Sequence, residues 1–204
     1  MGLAALLRAL RRALPAGAPL TLAYYPDGRQ EALLLKHGAH KSVSLMHSMA
    51  YDANGPEGHS PMSLAVAALA GGVAAGLPAA KLTLGLPFYG RHSASGDWVT
   101  WEDLQQRHAL GESDDSAPGE GGGVLHFNGR ATIREKVRRA IVAGYGGVMI
   151  WEAGQDCRQE AVTRDGRTHG VTCTAGASSS LLVAMSEAIA EAGAAGGARA
   201  AAEL

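Results

Sequence analysis

The chain has 204 residues, of which 47% are hydrophobic, and its formal net charge is −1. This length and composition are typical of one globular domain with a sizeable core. The sequence has no basic excess that would favour nucleic acid and no run of about 18 apolar residues that would span a membrane. Its eight histidines lack metal-ligand spacing. We therefore predict no nucleic-acid partner, no membrane partner, no metal and no cofactor.

The first predicted element is an amphipathic helix over residues 1–14. Arginines occupy the side of this helix opposite the leucines. The leucines that form its apolar stripe are Leu3, Leu6, Leu7, Leu10 and Leu14. Arg8 interrupts the apolar stretch and further arginines follow it, which is the reverse of a secretory leader, so we predict no signal peptide here. A transit peptide is the alternative to a core-facing helix.

Apolar segments then alternate with helical segments. The helical segments are predicted at residues 28–37, 60–75, 132–144 and 179–192, and Thr132 with Glu135 forms a capping box for the third of them. The predicted strands are residues 20–25, 43–52, 81–91 and 146–152. Strands that are apolar throughout suit a parallel sheet covered on both faces. The order predicts an α/β fold built from βαβ units.

Two segments fall outside this alternation. Residues 92–127 contain Trp98, Trp101 and a Ser/Asp/Gly-rich stretch without periodicity, which predicts an irregular excursion. Residues 193–204 are rich in alanine and glycine and are predicted to fray. We therefore expect one domain over residues 1–192 and a tail over residues 193–204.

The second predicted strand ends in residues that are suited to a functional site. Met49, Tyr51 and Asp52 close an otherwise apolar run. In sheets and barrels of this class the carboxyl ends of parallel strands carry the functional groups. The alternative interpretation is that Tyr51 and Asp52 close the strand and cap the following loop.

Three motifs carry a resemblance to a known family. They are Met49-Ala50-Tyr51-Asp52, KLTLGLPFYGR at residues 81–91 and GGVMIWEAGQD at residues 146–156. In this order and at this spacing they resemble glycoside hydrolase family 18, the chitinases. The resemblance implies a partial TIM (β/α)8 barrel made of strands five to eight with their helices, so that residues 1–192 would be the C-terminal half of a catalytic domain.

The resemblance also implies catalytic roles for two residues. The substrate would be chitin or an N-acetylglucosamine oligosaccharide. Tyr51 would donate a hydrogen bond to the acetamido carbonyl, whose oxygen attacks the anomeric carbon in a substrate-assisted mechanism. Asp52 would contact the acetamido group or the leaving side.

Four further residues would bind the sugar. Trp151 would be the aromatic platform, since a sugar presents a flat apolar face. Met49 would lie beneath the sugar, and Tyr89 and Arg91 would line the same cleft. The alternatives are a core tryptophan at position 151, a core methionine at position 49 and a surface ion pair for Arg91.

One family motif is missing from the chain. In the family the general acid is a Glu that closes an Asp-x-x-Asp-x-Asp-x-Glu strand, and this sequence contains no such pattern. We therefore expect that the chain lacks strands one to four, is inactive as given and has a second half barrel as a partner. Glu152 and Asp156 are at the wrong positions to replace the acid and should be structural. Three hypotheses remain, namely a part of a chitin hydrolase, a non-catalytic lectin-like chitin binder, and an inactive truncation.

The chain has two cysteines, Cys157 and Cys173, which both follow the last predicted strand. A bridge between them would close one loop and would contribute about 3 kcal/mol in the chain-entropy model. Two free thiols are the alternative, because two cysteines have no spacing signature. A bridge would fit a secreted, extracellular protein, as chitinases commonly are.

Overall fold

The computed structural model describes residues 2–202, and the side chains of residues 2–193. The helices of this part of the chain are α1 (Leu3–Ala13), α2 (Arg29–Lys36), α3 (Met62–Ala74), α4 (Trp101–Arg107), α5 (Arg130–Val142) and α6 (Leu181–Ala202). The strands are β1 (Thr21–Tyr24), β2 (Leu45–Ser48), β3 (Leu82–Pro87), β4 (Tyr89–His92), β5 (Trp98–Thr100), β6 (Ser116–Pro118), β7 (Val124–His126), β8 (Gly147–Trp151), β9 (Val162–Arg164) and β10 (Arg167–His169).

The strands that alternate with helices form one sheet in the order β1-β2-β3-β8. β1 and β2 are parallel, with Tyr24 opposite Ser48. β2 and β3 are also parallel, with Met46 opposite Leu82. Every residue of β3 is buried, as expected for an inner strand covered on both faces. The predicted α/β class is confirmed.

The chain divides into two compact units. The first contains residues 1–52, 62–86 and 139–149, and it holds β1, β2 and most of β3. In its core the Tyr145 hydroxyl donates to the carbonyl oxygens of Ala68 and Leu69 at 2.9 and 3.0 Å, which ties the segment before β8 to α3.

The second unit contains residues 53–61, 87–138 and 150–204. Its main sheet is antiparallel in the order β5-β4-β7-β6, and β9 pairs with β10 in a separate hairpin. Trp101 is at the centre of its core. The indole N–H donates to the Ser179 carbonyl at 2.8 Å, and the ring meets Phe127 edge-on at 5.8 Å between centroids.

The prediction of one strand over residues 81–91 was wrong. β3 ends at Pro87, and Tyr89 begins β4 in the antiparallel sheet. Pro87 has no N–H to continue a ladder, and the Phe88 N–H donates to the Trp151 carbonyl at 2.9 Å. The chain leaves the parallel sheet after this last bond to β8, and the apolar run does not reveal that point.

The prediction of an irregular excursion over residues 92–127 was also wrong. This segment holds β5, α4, β6 and β7, and its strands are only three residues long, too short to show a period in the sequence. Thr100 caps α4, because its hydroxyl oxygen accepts from the Asp103 N–H at 3.0 Å.

The ends of the helices differ from prediction in two places. The predicted capping box at Thr132 was wrong, because α5 already begins at Arg130 and the Thr132 hydroxyl donates to Asp115 Oδ2 at 2.6 Å. α6 continues to Ala202 and so runs past the predicted helix end. The fraying predicted for residues 193–204 stays a prediction, because the side chains after residue 193 and the backbone after residue 202 lie outside the described part.

The two cysteines are joined. Cys157 and Cys173 form a disulfide with an S–S distance of 2.07 Å and a Cα–Cα distance of 4.9 Å. The alternative of two free thiols is therefore wrong. Within residues 2–202, no helix has the length and apolar character required to cross a membrane.

The close approach of β2 and β3 predicts a strong effect of Gly85→Ala. A Cβ at position 85 would overlap the Ser48 carbonyl oxygen and lie 2.9 Å from Tyr51 Cε1. The backbones of β2 and β3 cannot move apart without breaking the hydrogen bonds between the two strands. We therefore expect the free energy of unfolding to fall by about 3 kcal/mol. Urea denaturation measures it. Gly170→Ala is the control, because its added Cβ meets no described atom within 4 Å; equal stability of the two variants would contradict the prediction.

Candidate functional site

In the first unit, the predicted site residues follow the end of β2. Met49 is half-buried, and its N–H donates to the Tyr24 carbonyl at 2.8 Å, which extends the pairing with β1 by one residue. Tyr51 is buried and Asp52 is exposed. Asp52 has a φ of 59°, a left-handed conformation that aspartate tolerates better than most residues. The chain therefore turns sharply where the strand ends.

The Tyr51 hydroxyl is kept protonated. Burial, together with smaller contributions from the neighbouring Asp52 and Tyr25, raises the pKa of Tyr51 to about 12. The Tyr51 ring lies over Gly85 of β3, where any larger residue would displace it. Tyr51 is thus a neutral phenol at physiological pH and can donate a hydrogen bond to an acceptor such as an amide oxygen.

In the second unit, Trp151 ends β8 with its side chain open to solvent. Of this residue, 54% is exposed, although its backbone carbonyl is held by the Phe88 N–H. The peptide between Trp151 and Glu152 is cis. Such exposure does not fit the alternative of a core tryptophan, and it leaves the indole accessible to a ligand.

Tyr89 and Arg91 lie on β4 of the same unit. Only 5% of Tyr89 is exposed, and the His59 ring lies 4.9 Å from it between centroids. Arg91 is half-buried and stands opposite Trp98 on one side and His126 on the other. The antiparallel sheet therefore fixes Tyr89 and Arg91 on one face, with Tyr89 under the loop that carries His59.

That loop is held by a buried lysine. Lys136 of α5 is fully buried, and its Nζ donates to the Ser60 carbonyl oxygen at 2.7 Å, to Ser60 Oγ at 2.8 Å and to Asn128 Oδ1 at 2.7 Å. Asn128 Nδ2 also donates to the Ser60 carbonyl at 2.9 Å. The three ammonium hydrogens thus have three acceptors, and the residue next to His59 is fixed from two sides.

The environment of Lys136 changes its proton affinity. Burial lowers its pKa to about 7, while the carboxylate of Asp115 acts in the opposite direction. Folding therefore disfavours the charged amine relative to its unfolded state. The hydrogen bonds to Ser60 and Asn128 offset part of that cost.

The carboxylate of Asp156, five residues after Trp151, is structural, as predicted. Asp156 accepts hydrogen bonds from Ser180 Oγ at 2.7 Å and from the Leu181 and Leu182 N–H groups at 3.0 and 2.9 Å, and so caps α6. The Glu152 N–H donates to Gln155 Oε1 in the short turn after β8. No cluster of three His, Cys, Asp or Glu side chains suited to a metal occurs in the described part of the chain.

The structure groups the predicted residues by unit and adds others that the sequence analysis missed. Tyr25 lies close enough to Tyr51 to affect its pKa, and its place directly after β1 was the available signal. The signal for Lys136 was a charge on the buried stripe of a helix, at the spacing of Ile133 and Val137. His59 had no signal of its own in the sequence.

Comparison with known families settles the relationship. The family model described as glycosyl hydrolases family 18 matches residues 1–156. The chain belongs to glycoside hydrolase family 18. The resemblance drawn from the three sequence motifs is therefore confirmed. No curated protein sequence matches the chain significantly.

Solved structures of this family have the same fold. A family 18 chitinase, ChiB, from the chitin utilization locus of Flavobacterium johnsoniae is 27% identical, with a TM-score of 0.69 over 92% of this chain and 55% of that one. A chitinase from Bacteroides thetaiotaomicron is 19% identical, with a TM-score of 0.69 over 94% of this chain and 58% of that one.

A third similar structure contains a ligand. It is a mutant of catalytic domain 2 of the Group II chitinase of Ostrinia furnacalis in complex with a chitooligosaccharide, 15% identical, with a TM-score of 0.55 over 75% of this chain and 53% of that one. The chain spans little more than half the length of these three relatives.

The lysine in the second unit leads to a prediction about stability and pH. Lys136→Met should lower the free energy of unfolding by about 2 kcal/mol, because Asn128 Oδ1 and Ser60 Oγ lose a buried partner. The folded-state pKa of about 7 lies below the unfolded value of 10.5. The unfolded chain therefore binds more protons between these values, and the stability advantage of the wild type over Lys136→Met should grow as pH rises through this range.

Thermal and urea unfolding of both proteins from pH 6 to 10 measure this difference. Lys36→Met, which changes an exposed lysine, is the matched control. An advantage of the wild type that is flat or shrinks with rising pH would contradict the prediction.

Proposed function

We propose that this chain is the C-terminal half of a family 18 catalytic domain and that it binds β-1,4-linked N-acetylglucosamine polymers. In a complete domain it would take part in their hydrolysis by the substrate-assisted mechanism, within carbohydrate and chitin catabolism. The ligand-bound relative from Ostrinia furnacalis supports a chitooligosaccharide as the ligand class.

The observation that carries the proposal is the exposed indole of Trp151 at the end of β8. A large aromatic ring that is 54% exposed presents an apolar face of the size of a sugar ring. Stacking of the indole face on the apolar face of the sugar removes both surfaces from water and requires no charged group. Trp151 therefore stacks against one N-acetylglucosamine ring, and Tyr89, Arg91 and Met49 are the further substrate-binding residues.

Tyr51 and Asp52 are the catalytic residues of the proposal. The phenol of Tyr51 has a pKa of about 12, so it is neutral at physiological pH and donates a hydrogen bond to the acetamido carbonyl. This bond holds the oxygen in position for its attack on the anomeric carbon, which is the nucleophilic step of the substrate-assisted mechanism. The exposed Asp52 contacts the acetamido group or the leaving side.

Burial along the sheet supports the half barrel. β3 is buried at every residue, whereas β1 and β8, the end strands of the described sheet, are partly exposed along most of their length. Three leucines of the apolar stripe of α1 are also exposed, namely Leu3, Leu6 and Leu10. These surfaces are what strands five and eight of a barrel would leave open, and strands one to four on a second half barrel would cover them.

A second candidate function is favoured by the missing acid. The sequence contains no Asp-x-x-Asp-x-Asp-x-Glu pattern, and general acid catalysis contributes about 100- to 10,000-fold. A chain without this group keeps its aromatic and hydrogen-bonding residues. It would then act as a non-catalytic, lectin-like chitin binder, and an inactive truncation is the outcome if it binds nothing.

The disulfide supports secretion. Cys157 and Cys173 are bonded, and such bridges form and persist in oxidising compartments. We therefore propose an extracellular location, where polymeric chitin is found.

Binding to chitin is the direct test. The wild-type chain should be retained on chitin beads, and Trp151→Ala should reduce retention by about tenfold, because the indole supplies most of the stacking surface. Depletion of protein from solution over a range of bead concentrations gives the affinity. Val142→Ala truncates a side chain that is 88% exposed on α5 and is the control. Equal retention of Trp151→Ala and wild type would overturn the proposed role of Trp151.

Hydrolysis separates the two candidate functions. The chain alone should release no detectable product from an N-acetylglucosamine hexamer, because nothing protonates the leaving oxygen. Chromatography of the reaction mixture measures this, with a complete family 18 chitinase as the positive control. Product formation that is lost in Tyr51→Phe would contradict the expected inactivity and would assign the missing acid to this chain.

A further inference from the structure

Both asparagines of the chain are followed directly by glycine. Asn54 precedes Gly55, and Asn128 precedes Gly129. An asparagine in this context can lose its side-chain amide by an internal reaction, because a glycine has no Cβ to hinder the approach of its nitrogen to the neighbouring side chain. Since the dipeptide is the same in both places, the structure around each pair decides which of them reacts.

The first pair lies in an open segment. Asn54 and Gly55 are exposed and belong to no helix or strand. Among the described residues, none makes a hydrogen bond to the Asn54 amide or accepts one from the Gly55 N–H. A Cβ on Gly55 would meet no described atom within 4 Å. The side chain and the nitrogen next to it can therefore rotate into contact without breaking an existing interaction.

The second pair is buried and bonded on both sides. Only 5% of Asn128 is exposed. Its Oδ1 accepts from Lys136 Nζ at 2.7 Å, and its Nδ2 donates to the Ser60 carbonyl oxygen at 2.9 Å. The Gly129 N–H donates to Asp115 Oδ1 at 2.7 Å. Both groups that would have to react with each other are thus held by other partners.

The reaction at an asparagine before glycine has two steps. The glycine nitrogen first attacks the side-chain carbonyl carbon; the bond from that carbon to the amide nitrogen breaks, and ammonia leaves with the proton that the glycine nitrogen gives up. The resulting succinimide ring is then opened by water. Attack of water on the side-chain carbonyl carbon gives aspartate, and attack on the main-chain carbonyl carbon gives isoaspartate. In sum an amide and water give a carboxylate and ammonium, without oxidation or reduction.

We propose that Asn54 is a site of spontaneous deamidation and that the fold protects Asn128 from the same reaction. At Asn128 the reaction requires a local opening that breaks the hydrogen bonds to Lys136, Ser60 and Asp115. The reaction there is therefore at least about 100-fold slower than at Asn54. The inference does not depend on the proposed function.

The modification changes the loop that covers Tyr89. Either product adds one negative charge two residues after Asp52. Isoaspartate also puts one extra carbon into the main chain between Ala53 and His59, although the Ala53 N–H donates to the His59 carbonyl at 2.9 Å and closes this segment. The His59 ring lies 4.9 Å from that of Tyr89 between centroids. The longer main chain therefore disturbs a loop whose last part contacts Tyr89.

Mass spectrometry of the aged protein tests the proposal. The full wild-type chain is incubated in mildly alkaline buffer, digested with trypsin and compared with protein that was not incubated. Residues 42–81 form the tryptic peptide with Asn54, and residues 108–130 form the one with Asn128. The first peptide should gain about 1 Da and separate into two chromatographic forms, whereas the second should stay unchanged.

A variant and a denaturant serve as controls. Gly55→Ala places a methyl group beside the attacking nitrogen and should slow the mass gain at Asn54 about tenfold. The added Cβ meets no described atom within 4 Å, so this variant keeps the fold. In guanidinium chloride the wild-type chain loses the protection, and Asn128 should react at a rate similar to that of Asn54.

Four results would each overturn part or all of the inference. No mass gain at Asn54, or an equal gain at Asn54 and Asn128 in the native protein, would overturn it entirely. A difference that persists in guanidinium chloride would assign the protection to the following residues, Pro56 and Arg130, and not to the fold. An unchanged rate in Gly55→Ala would mean that water attacks the amide directly and would overturn the cyclisation.

Discussion

The contact on which the second unit most depends is the one between the Lys136 ammonium and its acceptors on Ser60 and Asn128. A buried ammonium costs several kcal/mol unless its hydrogens are bonded, and here each of the three has an acceptor within 2.8 Å. The hydrogen bonds that offset the cost of burial also fix Ser60, the residue after His59. His59 then meets Tyr89, so a helix residue controls which part of the β4 face is covered. This arrangement links the core of α5 to the surface proposed to bind sugar.

The segment after Trp151 is fixed in a comparable way, by a capping carboxylate and a disulfide. Asp156 accepts from both N–H groups at the start of α6, where the positive end of the helix dipole favours a negative charge. Cys157 follows it directly and is bonded to Cys173. These constraints hold the chain shortly after the point where β8 ends, so the exposed Trp151 is presented by a backbone that has little freedom. If Trp151 stacks on a sugar as proposed, a backbone held this way loses less conformational entropy on binding.

Much of the parallel sheet was predictable because its strands carry their own signal. The apolar run that became β3 is buried on both faces, and its parallel pairing with β2 followed from the βαβ order. The break at Pro87 was not predictable from hydrophobicity, because Phe88 to Gly90 are as buried as the strand before them. What separates them is the pairing of Tyr89 and the residues after it with β5 and β7, which lie later in the sequence. The three-residue strands of the antiparallel sheet were missed for a related reason, since their stability comes from neighbours and not from a local pattern.

The candidate site, like the fold, was predictable from the sequence only in part. Strand ends and family motifs mark Tyr51, Asp52 and Trp151 in the sequence and so predict them as site residues, whereas their burial and exposure had to come from the structure. The raised pKa of Tyr51 depends on burial and on Asp52 and Tyr25, none of which the residue type reveals. In the proposed function, such a donor and such an exposed indole take part in recognition of an N-acetylated sugar. Protonation of a leaving oxygen needs a further group of raised pKa, and the motif that provides it in the family does not occur in this sequence. In the proposed function, recognition and cleavage would thus depend on different residues, so sugar binding would not require the acid.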